Sequence, residues 1–308
     1  MRISLVPPPL AKRLKRFLRF WLLRALLGIL SALPLALAQR LGDIFGGLVF
    51  RVAKKEREKA VASLTVAFPE LSHAERLALA EKTFRHLGRC ALELACARRI
   101  LPQLESFMEW PAADRACLEA VLARGRGVVF VTGHIGNWEL MGWRVALAGF
   151  PVRAVAKELS DLRLTALAGR FRAQGGVQSI WRGHQGAVRQ ILKALKAGEL
   201  LTLLIDQDTR VQNVFVPFFG KLAATPRAAA DFALRTGATP MVAWCHRKAD
   251  GHYQITMKEV AFESSGDGGL DALALTAALT RELEGAIRAA PEQWVWMHQR
   301  WKTMPGTV

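Results

Sequence analysis

Residues 128–140 read Val-Val-Phe-Val-Thr-Gly-His-Ile-Gly-Asn-Trp-Glu-Leu, and they place His134 five positions before Glu139. A neutral imidazole takes a proton from a hydroxyl near neutral pH. A carboxylate on its other ring nitrogen fixes the tautomer and stabilises the imidazolium that forms. A spacing of five does not put two residues on one helix face, so only a turn can bring this pair together. The same residues also have a structural reading, in which His134 caps a helix and Glu139 is a first-turn acid favoured by the helix dipole.

Asp206-Gln207-Asp208 follows the apolar run Glu-Leu-Leu-Thr-Leu-Leu-Ile. Two carboxylates at i and i+2 beyond a strand suit a divalent metal, the DxD pattern of many nucleotide-sugar glycosyltransferases. A turn-capping aspartate is the plainer alternative, and no nucleotide-binding segment lies upstream. Arg170 and Arg172 close a predicted helix, where a guanidinium can hold a lipid phosphate or steady a developing oxyanion. Two residues apart on a helix, they point to different faces, so they do not share one job. A favourable charge near a helix C-terminus accounts for them equally well. Thr225, after Gly220 and Lys221, is placed to bind an anion at a helix N-terminus or simply to cap it. The remaining histidines, among them His86 and His298, have no ligand-like spacing and read as surface or internally satisfied groups. No Gly-x-Ser-x-Gly elbow occurs, which disfavours a serine hydrolase.

The elements that position these groups follow from patterning. Candidate strands are 128–132, 152–156, 200–205, 240–246 and 252–258. Candidate helices are 137–148, 161–174, 186–197, 225–236 and 270–289. Their alternation predicts an α/β fold with a mixed sheet flanked by helices. Asn137 is the N-cap of the helix after His134, which leaves the histidine at the carboxyl end of a strand, the edge where open α/β sheets bind ligands. Thr225-Pro226 supplies a cap and an N1 proline, and Gly237 a stop. Asp250-Gly251 predicts a hairpin turn. Residues 54–110 read as helical, with a capping box at Ser72 and Glu75.

The chain has 308 residues, of which 51% are hydrophobic, enough for a sizeable core. Its net charge of +17 suits nucleic acid, an anionic membrane or an acidic partner. No zinc-finger spacing, RNP-like stretch or basic zipper supports nucleic acid. Four cysteines without a CxxC pair fit a reduced compartment. At the amino terminus, Lys12, Arg13, Lys15, Arg16 and Arg19 lead into an apolar run through Ala38, interrupted by Arg24 and Pro34. Started at Phe17, that run just reaches the roughly 20 residues of a membrane span. A helix lying in the interface, or a signal peptide ending at Ala36-Leu37-Ala38, are the other readings. Residues 1–50 are therefore taken as a membrane anchor or interfacial segment and 51–308 as the catalytic domain, with Ile44–Val52 as a further lipid contact. The tryptophans at 294, 296 and 301 suit either a membrane interface or a core.

Gly-His-Ile-Gly-Asn-Trp-Glu-Leu resembles the H-x4-E motif of the bacterial lipid A late (lauroyl/myristoyl) acyltransferases, within the wider glycerolipid acyltransferase group. Similarity continues through residues 63–72, Gly169-Arg170-Phe171-Arg172, Asp206-Gln207-Asp208, 214–220 and 291–302. The resemblance implies a glycerolipid acyltransferase-like fold and an inner-membrane enzyme whose catalytic domain faces the cytoplasm. It implies His134 as general base, Glu139 as its orienting acid, and Arg170 and Asp206 as further active-site residues. Asn137, Arg172, Asp208 and Thr225 are candidate substrate contacts, with Arg182 as an alternative arginine. No metal or other cofactor is implied. The implied donor is an acyl thioester, acyl-carrier protein or coenzyme A, and the implied acceptor is a phosphorylated, acylated glucosamine disaccharide. Phosphatidylinositol mannoside acyltransferases are similar in motif. A metal-dependent DxD glycosyltransferase and a non-catalytic membrane-binding protein are the competing classes.

Overall fold

The structure, a computed structural model, describes residues 10–306. Helices α1 (Leu10–Ser31) and α2 (Leu35–Val52) are separated at Pro34, which caps the second. Helices α3 (Lys54–Ala67) and α4 (His73–Ala95) follow, and α4 starts on the expected capping box between Ser72 and Glu75. Two short helices, α5 (Ala97–Ile100) and α6 (Leu104–Phe107), lead to the brief strand β1 (Met108–Glu109) and helix α7 (Ala112–Leu122). The α/β part then runs β2 (Val128–Thr132), α8 (Trp138–Leu147), β3 (Val152–Lys157), α9 (Leu162–Gln174), β4 (Gln178–Arg182), α10 (Ala187–Lys196) and β5 (Leu200–Leu204). It closes with β6 (Asn213–Phe218), β7 (Lys221–Pro226), α11 (Ala228–Thr236), β8 (Thr239–Arg247), β9 (Tyr253–Glu259) and α12 (Gly268–Ala289).

Seven strands form one sheet in the order β1-β9-β8-β2-β5-β3-β4, parallel except for the β8–β9 hairpin; β6 and β7 form a separate antiparallel pair. Strand β2 is buried along its whole length because both sheet faces are covered. Val129 and Val131 join one apolar cluster with α11 and α12, and Val128 and Phe130 join the other with α7 and α8. Residue types thus alternate between two cores rather than between core and water. The expected α/β layers, the Asp250-Gly251 turn and the Gly237 stop are all present. One expected boundary is not. Thr225 and Pro226 pair with β6 as the end of β7, and Arg227 is the residue that precedes α11. The threonine's strand pairing to Val214 overrides its capping propensity.

The amino-terminal helices pack on the rest through glycine. Gly42 and Gly46 of α2 meet Gly88 of α4 so closely that a Cβ on Gly46 would lie 2.2 Å from the Phe84 carbonyl oxygen. One on Gly88 would lie 2.1 Å from the Gly42 carbonyl oxygen. On its other side α2 exposes Ile44, Phe45, Leu48 and Val52, and α1 exposes Leu18 and Leu22. No described helix is long and apolar enough to cross a membrane, and basic residues recur along α1. The exposed apolar side chains suit an interfacial position. Replacing Gly88 with valine should force α2 and α4 apart and lower stability by about 1–3 kcal/mol. Thermal unfolding reads this directly, and a midpoint equal to that of the parent contradicts the packing.

Candidate active site

Strands β2 and β5 are adjacent and parallel, and Thr132 is in register with Leu204. Two residues beyond each strand end stand His134 and Asp206. Their meeting is therefore a consequence of register, although 72 positions separate them. Asp206 is buried and collects three donors. The His134 backbone N–H donates to Oδ2 at 2.7 Å, and the Trp294 indole N–H to the same oxygen at 2.8 Å. The His134 ring presents Nδ1 to Oδ1 at 2.9 Å. With an ionised carboxylate there, Nδ1 carries the proton and Nε2 keeps its lone pair. Burial alone would raise the Asp206 pKa, but the hydrogen bonds from the His134 ring and backbone and from the Trp294 N–H outweigh it and hold the acid well below the usual carboxylate range.

The far side of the His134 ring is shared. The Gln207 amide nitrogen lies 3.1 Å from His134 Nε2 and 2.7 Å from His298 Nε2, and the two imidazoles stand 5.2 Å apart, centre to centre. Trp138 packs edge-on against His134 at 4.8 Å. The His134 side chain retains 19% of its surface, so a hydroxyl can displace the amide and reach Nε2.

Glu139 does not orient His134. Its carboxylate is gripped by Arg172, with Nε at 2.9 Å and Nη2 at 2.5 Å from its two oxygens. The turn after β2 and the first turn of α8 aim residues 134 and 139 to different sides, and α9 delivers the arginine. This bidentate pair lines a narrow apolar cleft between α8 and the sheet, with Trp138, Met141, Gly142, Val145 and Val177 among its walls. The arginine of α9 that enters the site is thus Arg172. Arg170, two residues earlier, is exposed, as helical geometry requires for one member of such a pair. Arg182, the alternative, is exposed at the end of β4.

The other candidates have structural work. Asn137 is the expected N-cap: its Oδ1 accepts from the Leu140 N–H, and its amide donates at 3.1 Å to the buried Glu93. Glu93 also takes both terminal nitrogens of Arg247, at 2.6 and 2.9 Å, and the Tyr253 hydroxyl at 2.8 Å. Gly136, at φ 61°, completes the turn; a Cβ there would stand 2.0 Å from the Cys245 carbonyl oxygen. Asp208 accepts from the Thr303 backbone N–H at 2.9 Å and lies near Lys302, so it fastens the carboxyl-terminal segment. The carboxylates of the Asp206-Gln207-Asp208 run answer to different partners and do not converge as a metal pair. Thr225 is buried in β7, where its hydroxyl donates to the Ala223 carbonyl and accepts from Arg300. Trp294, Trp296 and Arg300 are core residues rather than interfacial ones. Gln207, Trp294 and His298 are the site residues that sequence reasoning missed; only their nearness to quoted motifs hinted at them.

Burial holds His298 down to about 4, helped by the neighbouring His134, and holds His86 to about 3. A base with a depressed folded pKa binds its proton more readily when unfolded. Its stabilising contribution is complete above the unfolded value, about 6.5, and is lost as pH falls toward the folded value. The melting temperature should therefore fall between pH 6.5 and 4, before Asp206 contributes below about 3.9. Substituting His298→Gln should flatten part of that slope. A parent profile that is level from pH 7 to 4 contradicts the buried neutral histidines.

Comparison with known proteins identifies the family. The family model for bacterial lipid A biosynthesis acyltransferase matches residues 9–303. The lipid A biosynthesis lauroyltransferase of Escherichia coli K12 is 30% identical over 304 residues, covering 94% of each chain. The palmitoleoyltransferase of the same organism is 29% identical over 306 residues, covering 96% of this chain and 97% of its own. A phosphatidylinositol mannoside acyltransferase of Mycolicibacterium smegmatis is 28% identical over 187 residues, 60% of each. The chain belongs to the bacterial lipid A biosynthesis acyltransferase family.

Proposed function

We propose that this protein transfers a fatty acyl chain from an acyl thioester to a hydroxyl of a phosphorylated lipid A precursor, with His134 as general base. The observation that supports the reading is a partly exposed imidazole whose Nδ1 is fixed by a buried carboxylate, beside a largely apolar cleft. The acceptor hydroxyl takes the place of the Gln207 amide at Nε2. As its oxygen attacks the thioester carbonyl, His134 removes the proton. The tetrahedral intermediate then collapses, the carbon–sulfur bond breaks, and the imidazolium returns the proton to the departing thiolate. Asp206 holds the tautomer and balances the transient positive charge. Glu139 and Arg172 form the polar wall of the cleft that takes the acyl chain. Apart from that ion pair the cleft is lined mostly by apolar side chains, which suits an alkyl chain.

Acyl-carrier protein, an acidic protein, fits the strong positive charge of the chain, which would speed its encounter. The apolar faces of α1 and α2 support attachment to the cytoplasmic face of the inner membrane, with their lysines and arginines on anionic headgroups. A lipid A precursor is favoured over a phosphatidylinositol mannoside because similarity to the lipid A enzymes runs almost end to end, against 60% for the mannoside enzyme.

Transfer of labelled acyl groups from acyl-carrier protein to a tetra-acylated, phosphorylated precursor tests the reading. His134→Ala should lower the rate by about 10²–10⁴-fold, and Asp206→Asn by a comparable factor. Chelator should leave transfer unchanged. Full activity without His134, or transfer that appears only with a divalent metal, would sink the proposal.

A further inference from the structure

A second cavity opens at the same end of the sheet, on the other side of the turn that carries His134. Its volume is ≈ 470 Å³. Lys82, Arg85 and Arg89 line it from α4, and Arg247 and Lys248 line it from the end of β8. Glu292 is the carboxylate in that lining. The acids that answer these cations stand outside that lining: Asp43 and Glu81 take Arg85, Asp43 also takes Arg89, Glu93 takes Arg247, and Glu109 and Asp250 take Lys248. Among the described residues no acid pairs with Lys82, which is exposed. The Arg247 side chain is only 6% exposed, and its Nε–H is buried without an acceptor. A buried donor without a partner is costly, so it marks a place where an acceptor belongs.

The cavity touches the active site through backbone. His86, in its wall, lies 3.3 Å from Cys90 Sγ, which in turn donates to the Gly136 carbonyl, and the Gln293 carbonyl accepts from the Gly136 N–H at 3.0 Å. Strands β2 and β8 are parallel neighbours, so His134 and Arg247 leave the same sheet edge. Asp43 reaches Arg85 and Arg89 from α2, the helix that also exposes Ile44, Phe45 and Leu48. A cationic cavity beside an apolar helix face suits an amphiphile with an anionic head, more than it suits a soluble anion.

We propose that this cavity binds a phosphate carried on a lipid headgroup, so that a phosphorylated lipid is held while its hydroxyl lies at His134. The acyltransferase reading enters only in naming the acceptor glycolipid as the expected bearer of that phosphate. Lys82 would supply its ammonium, Arg89 and Lys248 the donors that their acids leave open, and Arg247 the positive floor.

The test reads binding in the full-length protein, so it does not depend on turnover. The probes are a phosphorylated lipid A precursor and its dephosphorylated form in neutral detergent, and vesicles of phosphatidylglycerol or phosphatidylcholine. Lys82→Glu and Lys248→Glu are compared with Lys193→Glu, a charge reversal on the distant α10. A dissociation constant raised at least about tenfold for the phosphorylated precursor only, by the cavity variants only, establishes the site and the acceptor as its source. The same loss confined to phosphatidylglycerol vesicles establishes the site with bulk phospholipid as its source. Equal affinity for phosphorylated and dephosphorylated precursor, or losses no larger than with Lys193→Glu, overturns it. Absence of acyl transfer by the parent protein would sink the function without touching this result.

Discussion

One buried carboxylate organises the site. Asp206 lies out of water, where an isolated charge is too costly to keep, and it stays ionised because three donors converge on it. The donors come from two distant parts of the chain, and the acid from a third. The His134 amide and ring come from the end of β2, the indole of Trp294 comes from the carboxyl-terminal segment, and the acid itself follows β5. The parallel register of β2 and β5 and the docking of residues 291–302 therefore have to be right together before the imidazole can be. The isolated bridge between Ile135 and Trp294 ties the same two segments by their backbones. Stability and chemistry draw on one interaction here: the acid that fastens the tail also selects the His134 tautomer.

A second buried carboxylate braces the turn from behind. Glu93 collects Arg247, Tyr253, Asn137 and the Gln39 amide, which joins α2, α4, the start of α8 and both strands of the hairpin. Removing one partner from such a network leaves an uncompensated buried charge, at a typical cost of about 3–5 kcal/mol. The Asn137 cap thus does two things, ending the turn that carries His134 and linking it to this brace. The close glycine contact of α2 with α4 then fixes the apolar amino-terminal face relative to the same network.

Much of this was legible in the chain. Strand β2 matched its run of β-branched residues, α8 matched its Asn137 cap, and the H-x4-E text spans the turn between them. What local sequence cannot show is which carboxylate answers the imidazole. Glu139 is five residues away and Asp206 seventy-two, yet strand pairing makes the distant one the neighbour. The same limit applies to the arginines: Arg170 and Arg172 differ in the face of α9 they occupy, and only packing shows that Arg172 meets Glu139. Thr225 reads as a cap and is a strand residue, since pairing with β6 outweighs local preference. His298 looked like one more unremarkable histidine, because nothing near it reports that the tail folds back over Gln207. Glu93 carried no signal at all: an acid in a helical pattern reads as surface until its partners are in place.

The account stands most directly on the claim that Asp206, not Glu139, sets the His134 tautomer. Nitrogen-15 NMR of labelled histidine resolves this, because protonated and lone-pair imidazole nitrogens have well-separated shifts. The account predicts a neutral His134 ring protonated at Nδ1 in the parent protein and in Glu139→Gln. It predicts loss of that single tautomer in Asp206→Asn. An unchanged ring in Asp206→Asn, with the tautomer lost in Glu139→Gln, would contradict it.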